Sequence, residues 1–231
     1  AGVIPDGAGK GNVSVTGTLD LNAFAETING LSGAGTVDTV AGGTPTLTVG
    51  NNDQTSTFSG TITNTAGTLA LTKTGTGTLT LSGAGNNWNG TTTVSAGALT
   101  LSGGLSTAGL VFVGSASGGI LNVTGNLIQT RAASPRNFQI SNTSGQTGTV
   151  NVSGAGSLTV TGYFMGDNGG GTSTFNLSGG TVTNSGQAWF AGGNNTLNVS
   201  GGTFNSTGTF EFGAGVANGV STMTRSEEHT S

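Results

Sequence analysis

The segment Leu71–Gly104, LTKTGTGTLTLSGAGNNWNGTTTVSAGALTLSGG, contains one phrase twice. Thr78-Leu-Thr-Leu-Ser-Gly returns as Ala98-Leu-Thr-Leu-Ser-Gly, 20 residues later. In each copy leucine alternates with threonine, which places Leu79 and Leu81, and again Leu99 and Leu101, on one side of an extended strand. The intervening threonines suit the solvated side, because β-branching favours a pleated backbone. Outward from this segment the same alternation recurs at Val13/Val15, Leu19/Leu21, Leu47/Val49 and Leu69/Leu71, and Leu31-Ser-Gly-Ala-Gly is repeated at Leu81. No helical period accompanies it. The chain reads as all-β.

The C-terminal half carries two further markers in phase. Phe112, Phe138, Phe164 and Phe190 follow one another at intervals of 26 residues, and Phe212 comes 22 later. Asn122, Asn151, Asn176 and Asn198 each open an Asn-Val/Leu-Thr/Ser-Gly phrase, at intervals of 29, 25 and 22. Repeats of this length are too short for propeller blades, and a sandwich or barrel does not by itself explain them. A parallel β-helix does, with three short strands per turn, 20–26 residues per turn, and the apolar positions directed into a narrow core. Nine or ten such turns, about 4.8 Å apart, make a rod of about 45 Å. Equivalent residues in successive turns then stack, phenylalanine on phenylalanine and asparagine on asparagine. The asparagines are expected as a hydrogen-bonded ladder at a corner of the coil. Each well-buried Leu or Phe contributes roughly 1.5–3 kcal/mol, more than the sparse surface charges can supply.

Composition narrows the partners. The chain has 231 residues, 46 of them glycine, with only 6% charged residues, a formal net charge of -4 and no cysteine. Five Lys and Arg do not make the cationic footprint that nucleic acid requires. No apolar run approaches the ~20 residues of a membrane-spanning helix, so no membrane contact is expected of this segment. Residues 1–224 read as a single repeat array and as a fragment of a larger protein. Ala1–Lys10 lacks the features of a signal peptide, which is therefore expected further upstream. Residues 225–231, RSEEHTS, break the composition and resemble a translated sequencing adapter; they read as a non-native or disordered tail. The one histidine, His229, falls there. Gln129–Asn137 and Asn51–Ser56 interrupt the alternation and read as loops.

Leu71–Gly104 resembles the autotransporter-associated β-strand repeat of bacterial surface proteins. The residues that carry the likeness are Lys73, Gly75, Gly77, Leu79, Leu81, Asn87, Trp88, Gly90, Thr92, Val94, Gly97, Leu99 and Leu101, with Trp88 standing where that pattern more often has tyrosine. The resemblance implies a right-handed parallel β-helix of the passenger type, extracellular or at the cell surface, and outer-membrane-associated in the full-length protein.

Chemistry has little to work with. A Ser-His-Asp or Cys-His arrangement lacks its histidine, and the Gly-rich segments precede no helix that would make a nucleotide site. Among the acids, Asp20 and Asp38 could approach each other if they stand on successive turns, but no aromatic platform is evident beside them. Gly166-Asp-Asn-Gly-Gly-Gly171 offers a single carboxylate, too few for calcium, and reads as a solvated turn. No cofactor, metal or catalytic residue is expected, and the chain reads as a non-catalytic stalk or passenger segment. The alternative is an adhesin-like binding module. Core stacking of the phenylalanines sends Tyr163 and Trp189 outward, where they could meet a polysaccharide or a host or neighbouring cell surface.

Overall fold

The structure, a computed structural model, describes residues 3–6, 8–116, 118–131, 137–141, 144–167, 169–190, 192–213 and 221–225, the last five as backbone only. Three stacks of parallel strands run the length of the molecule. The first face holds Val13–Val15, Leu31–Gly33, Ser56–Phe58, Thr78–Leu81, Ala98–Leu101, Gly119–Val123 and Thr147–Val152. It continues into the N-terminal halves of Thr172–Asn184 and Asn194–Ser206 and ends in Ser221–Arg225. The second face starts with Thr18–Asp20, Thr36–Asp38 and Thr61–Ile62. After an isolated bridge between Asn86 and Leu105 it resumes with Gly104–Thr107, Asn126–Gln129 and Ser157–Val160, then takes the C-terminal halves of the same two long strands. The third face runs from Glu26–Ile28 to Phe210–Phe212. Every ladder between these strands is parallel.

The chain is thus a three-sided parallel β-helix of about nine turns. Turn length is less even than 20–26 residues. Val13 pairs with Leu31, eighteen residues on, whereas Asn122 pairs with Asn151, twenty-nine residues on. The faces keep register because corners of different length absorb the difference. The segment expected as a loop at Gln129–Asn137 lies between a strand ending at Gln129 and one starting at Phe138, and its residues 132–136 lie outside those described. The shorter interruption at Asn51 ends sooner than expected, since Ser56 already belongs to a strand. Arg225 closes the last strand; residues 226–231, and with them His229, lie outside the described residues.

Period-two alternation fills the interior. On the first face Leu79, Leu99, Leu121, Val150, Phe175 and Leu197 form one inward column, and Leu81, Leu101, Val123, Val152 and Leu177 the next. All are essentially buried. Two strands reach thirteen residues, Thr172–Asn184 and Asn194–Ser206, because they pass from the first face to the second without breaking. The bend falls at Ser178–Gly180, where the pairing shifts register. Gly180 sits there at φ 77°, a conformation that glycine adopts without steric cost.

Candidate functional site

The segment with the family-like pattern builds two corners. In Ala70–Lys73, Leu71 and Lys73 both point inward, and Lys73 occupies the column position held by Val49 before it and Val94 after it. Its aliphatic stem replaces a valine in the core while the ammonium reaches the corner. There Nζ donates to the carbonyls of Thr74, Gly75 (2.9 Å) and Ala96 (3.4 Å). Thr74 and Gly75 belong to the same turn and Ala96 to the next, so one cation ties two corners together. Burial lowers the Lys73 pKa, and the nearby Asp53 carboxylate offsets part of that shift. Asp53 is itself held below its ordinary value by hydrogen bonds from Thr76. Gly75 has φ 67°, and a Cβ placed on it would lie 1.9 Å from the Gly50 carbonyl. The corners are stacked that closely.

The second corner centres on Trp88. The ring is fully buried, and its Nε1 donates to the Thr92 hydroxyl (2.9 Å). Gly90 must lack a side chain because a Cβ would come 2.3 Å from the Leu69 carbonyl. The asparagine that organises this corner is Asn86. Asn86 accepts from Ile62 N–H (2.9 Å) and donates to the carbonyls of Gly83 (2.7 Å) and Gly104 (2.9 Å), joining three turns. The motif residue Asn87 is exposed and contributes its backbone N–H to Ile62 O (3.0 Å). Two adjacent asparagines look alike in sequence. Only Asn86 falls on the inward phase of the alternation, ahead of Trp88 by two.

The five marker phenylalanines divide. Phe138 pairs directly with Phe164, and Phe190 with Phe212. Phe164 and Phe190 touch edge to face at 5.2 Å, although the register partner of Phe164 is Ala188. Phe112 leaves the stack: it pairs with Gln139, and Val111 is the residue opposite Phe138. The register distance there is twenty-seven residues, one more than the phenylalanine spacing, and a one-residue offset turns a side chain to the other face of a sheet. Phe112 therefore stands in an outward column with Gln139, Met165, Trp189 and Glu211.

Trp189 is half-buried in that column, beside Met165 and Glu211. Its indole Nε1 is shielded from solvent without an acceptor among the described residues. Tyr163, also half-buried, precedes Met165 by two residues on the same face; its N–H donates to Asn137 Oδ1 (3.1 Å). The two aromatics thus lie in neighbouring outward columns, separated by Met165. The asparagines form a ladder along the first face: Asn151 donates to Asn122 (2.8 Å), Asn176 to Asn151 (2.8 Å) and Asn198 to Asn176 (2.7 Å). Asn122 ends it on the Thr100 hydroxyl (3.2 Å). The ladder lies within the strands, one residue from the end of Gly119–Val123 and of Thr147–Val152, and not on a corner.

The carboxylates hold corners as well. Asp20 and Asp38 do stand in register on successive turns. Asp20 accepts from the N–H groups of Asn22 and Val40, and Asp38 from those of Thr39 and Thr65 and from the Thr65 hydroxyl (2.6 Å). Burial disfavours the charged form of Asp38, but these hydrogen bonds outweigh it and hold the pKa below its ordinary 3.8. An aromatic does lie near Asp20: Phe24, 57% exposed, lines a cleft of about 340 Å³ with Asp20, Glu26, Leu19 and Leu21. Both Glu26 oxygens accept there from the N–H groups of Val3 and Ile4. Within Gly166–Gly171 the glycines Gly169 and Gly170 are exposed, as expected of a turn, but the carboxylate is not solvated. Asp167 is fully buried; one oxygen accepts from the Ser141 hydroxyl (3.0 Å) and the other from the N–H groups of Gly169, Gly170 and Gly171. Gly193 leaves room for it, since a Cβ there would lie 1.7 Å from the carboxylate.

Residues 71–101 match the family model of the passenger-associated-transport repeat. Comparison with curated proteins and with solved structures finds no match. The matched segment spans the lysine corner, the Trp88 corner and the paired leucines of the first face. The repeat and the β-solenoid together fit a passenger-type structural segment.

Proposed function

We propose that the chain is a non-catalytic stalk, a passenger segment that carries or extends other parts of a bacterial protein secreted or displayed at the cell surface, outer-membrane-associated in its full-length form. The observation that carries this reading is the passenger-associated repeat at residues 71–101 set within a three-sided ladder of about nine turns. Parallel ladders with a continuous apolar core extend by adding turns, so length itself is the adjustable property. The carboxylates support the non-catalytic reading, because Asp20, Glu26 and Asp38 hold backbone amides of a neighbouring segment and Asp167 holds those of its own turn. The test is to express the complete gene in a Gram-negative host and treat intact cells with protease. Release of fragments from this segment is expected; protection in intact cells with cleavage only after lysis would overturn the reading.

A second reading is favoured by the neighbouring Tyr163 and Trp189: a binding surface for polysaccharide or for a host or neighbouring cell. Replacement of both by alanine is expected to abolish retention on immobilised glycans or cells. Unchanged retention by the double variant removes it.

A further inference from the structure

The cleft of about 340 Å³ on the first turn of the coil is lined by residues of the second-face strand Thr18–Asp20 and of the third-face strand Glu26–Ile28. Most of its lining is apolar: Leu21 is buried, and Leu19 and Ile4 pack partly against the core. Phe24 stands in it largely exposed. The chain reaches Phe24 through Asn22 and Ala23, two successive non-glycine residues in the left-handed region, at φ 46° and 66°. Such a turn is strained and has to be tied down. The Phe24 N–H donates to Leu21 O (2.8 Å), and Asp20 Oδ1 accepts from the Asn22 N–H (2.9 Å). The Glu26 carboxylate fixes another part of the lining by holding the N–H groups of Val3 (2.9 Å) and Ile4 (2.8 Å).

Two carboxylates line this apolar space, and no Lys, Arg or His does. The donors that Glu26 holds are neutral amides, so its charge is not cancelled. Asp20 Oδ1 takes the amides of Asn22 and Val40, and its Oδ2 accepts from no described residue. We propose that the cleft binds a small organic cation, an ammonium group on a short apolar body, as in an arylalkylamine. The apolar body rests on Leu19, Leu21 and Ile4, and the ammonium reaches Asp20 Oδ2 beside the exposed ring of Phe24. Ammonium–carboxylate hydrogen bonds and the attraction of a cation to an aromatic face both favour this placement. The volume matches that of sites for small ligands. Other occupants fit worse. An anion of the same shape meets two like charges. A neutral sugar brings a hydroxyl on almost every ring carbon to a lining whose uncommitted polar side-chain groups are Asp20 Oδ2 and the Asn22 amide, and unpaired buried hydroxyls are costly. The site is independent of the stalk reading, and of Tyr163 and Trp189, which belong to later turns.

Titration of the isotope-labelled chain with phenethylammonium, followed by amide NMR shifts, tests it. Saturable shifts are expected at Val3, Ile4 and Leu21–Phe24, with a Kd of about a millimolar for so small a ligand. Phenethyl alcohol, the neutral isostere, should bind about fivefold more weakly, and the anion hydrocinnamate more weakly still. Asp20→Asn removes the charge while keeping an acceptor oxygen for the Asn22 and Val40 amides. It should weaken the amine about fivefold and leave the alcohol unchanged. Phe24→Ala should weaken the amine about threefold. Asp53→Asn, the same change of charge at a corner outside the cleft, should leave it unaltered. If Asp20→Asn alters the β circular dichroism, Phe24→Ala and the comparison of amine with alcohol on the wild-type chain decide. Equal affinity for amine and alcohol overturns the proposal, and so does an equal loss in Asp53→Asn. Absence of shifts at these amides up to the solubility limit of the amine overturns it too, as does a soluble glucan that shifts them when the amine does not.

Discussion

The turns around residues 71–101 and those from Phe138 onward build the same coil from different materials. The first region stacks aliphatic residues, Leu79 on Leu99 and Leu81 on Leu101, and closes its corners with Lys73, Trp88 and tightly placed glycines. The second fills its interior with rings. Phe164 lies within 5.1–6.3 Å of Phe138, Phe175, Phe190 and Phe204, and two strands bend through a corner without ending. A parallel coil therefore asks only for inward apolar volume and for corners that leave no polar group stranded. Leucine columns meet the first demand with interchangeable parts, whereas interlocking rings meet it with a few specific ones.

Single substitutions can break that contrast. The largest effect is expected at Phe164→Ala, about 3–5 kcal/mol by urea unfolding, because the ring contacts four others and its removal leaves a cavity. Leu79→Ala, a smaller loss in the aliphatic region, should fall at about 2–4 kcal/mol. Equal values would show that the ring cluster adds nothing beyond its volume. Next comes the corner spacing. Gly75→Ala meets the Gly50 carbonyl as well as an unfavourable positive φ, while Gly42, at φ 87°, has open space around it. Gly42→Ala should cost about 1–2 kcal/mol from backbone conformation alone, and Gly75→Ala clearly more. Parity in thermal unfolding would mean that the stacked corners yield.

The smallest effect is expected at the N-terminal corner. Asp38→Asn weakens three hydrogen bonds while keeping an acceptor oxygen and should cost about 0.5–1 kcal/mol at neutral pH. The folded pKa of Asp38 lies below 3.8, so the unfolded chain takes up the proton first. Its contribution is therefore full above 3.8 and lost as pH falls through the lower, folded value. A stability profile in acid should accordingly be flatter for Asp38→Asn than for wild type. Parallel profiles would show that the Thr39 and Thr65 hydrogen bonds do not bias protonation.

Much of this was legible in the chain itself. Alternation marks which side chains point inward wherever a strand is formed, since a pleated strand leaves each residue only two directions. Spacing marks the stacking partner only when it equals the register distance. For Phe138 and Phe164 the two agree at twenty-six, and for Phe190 and Phe212 at twenty-two. For Phe112 they differ by one residue and the side chain emerges on the outside. Corner chemistry was less visible. Asn86 and Asn87 differ only in phase, and Asp167 reads as a turn residue until Gly193 of the following turn is seen to make room for it.

The sequence by itself determined an all-β coil, its apolar phase and the passenger-like pattern, because period and composition are properties of one strand and its neighbours in the chain. Only the tertiary structure decided which turns are eighteen and which twenty-nine residues long, that Lys73 lies inside the coil, and that the asparagines of four successive turns stand level in one hydrogen-bonded ladder. Those depend on how corners of unequal length bring distant residues level, a quantity that no local pattern records.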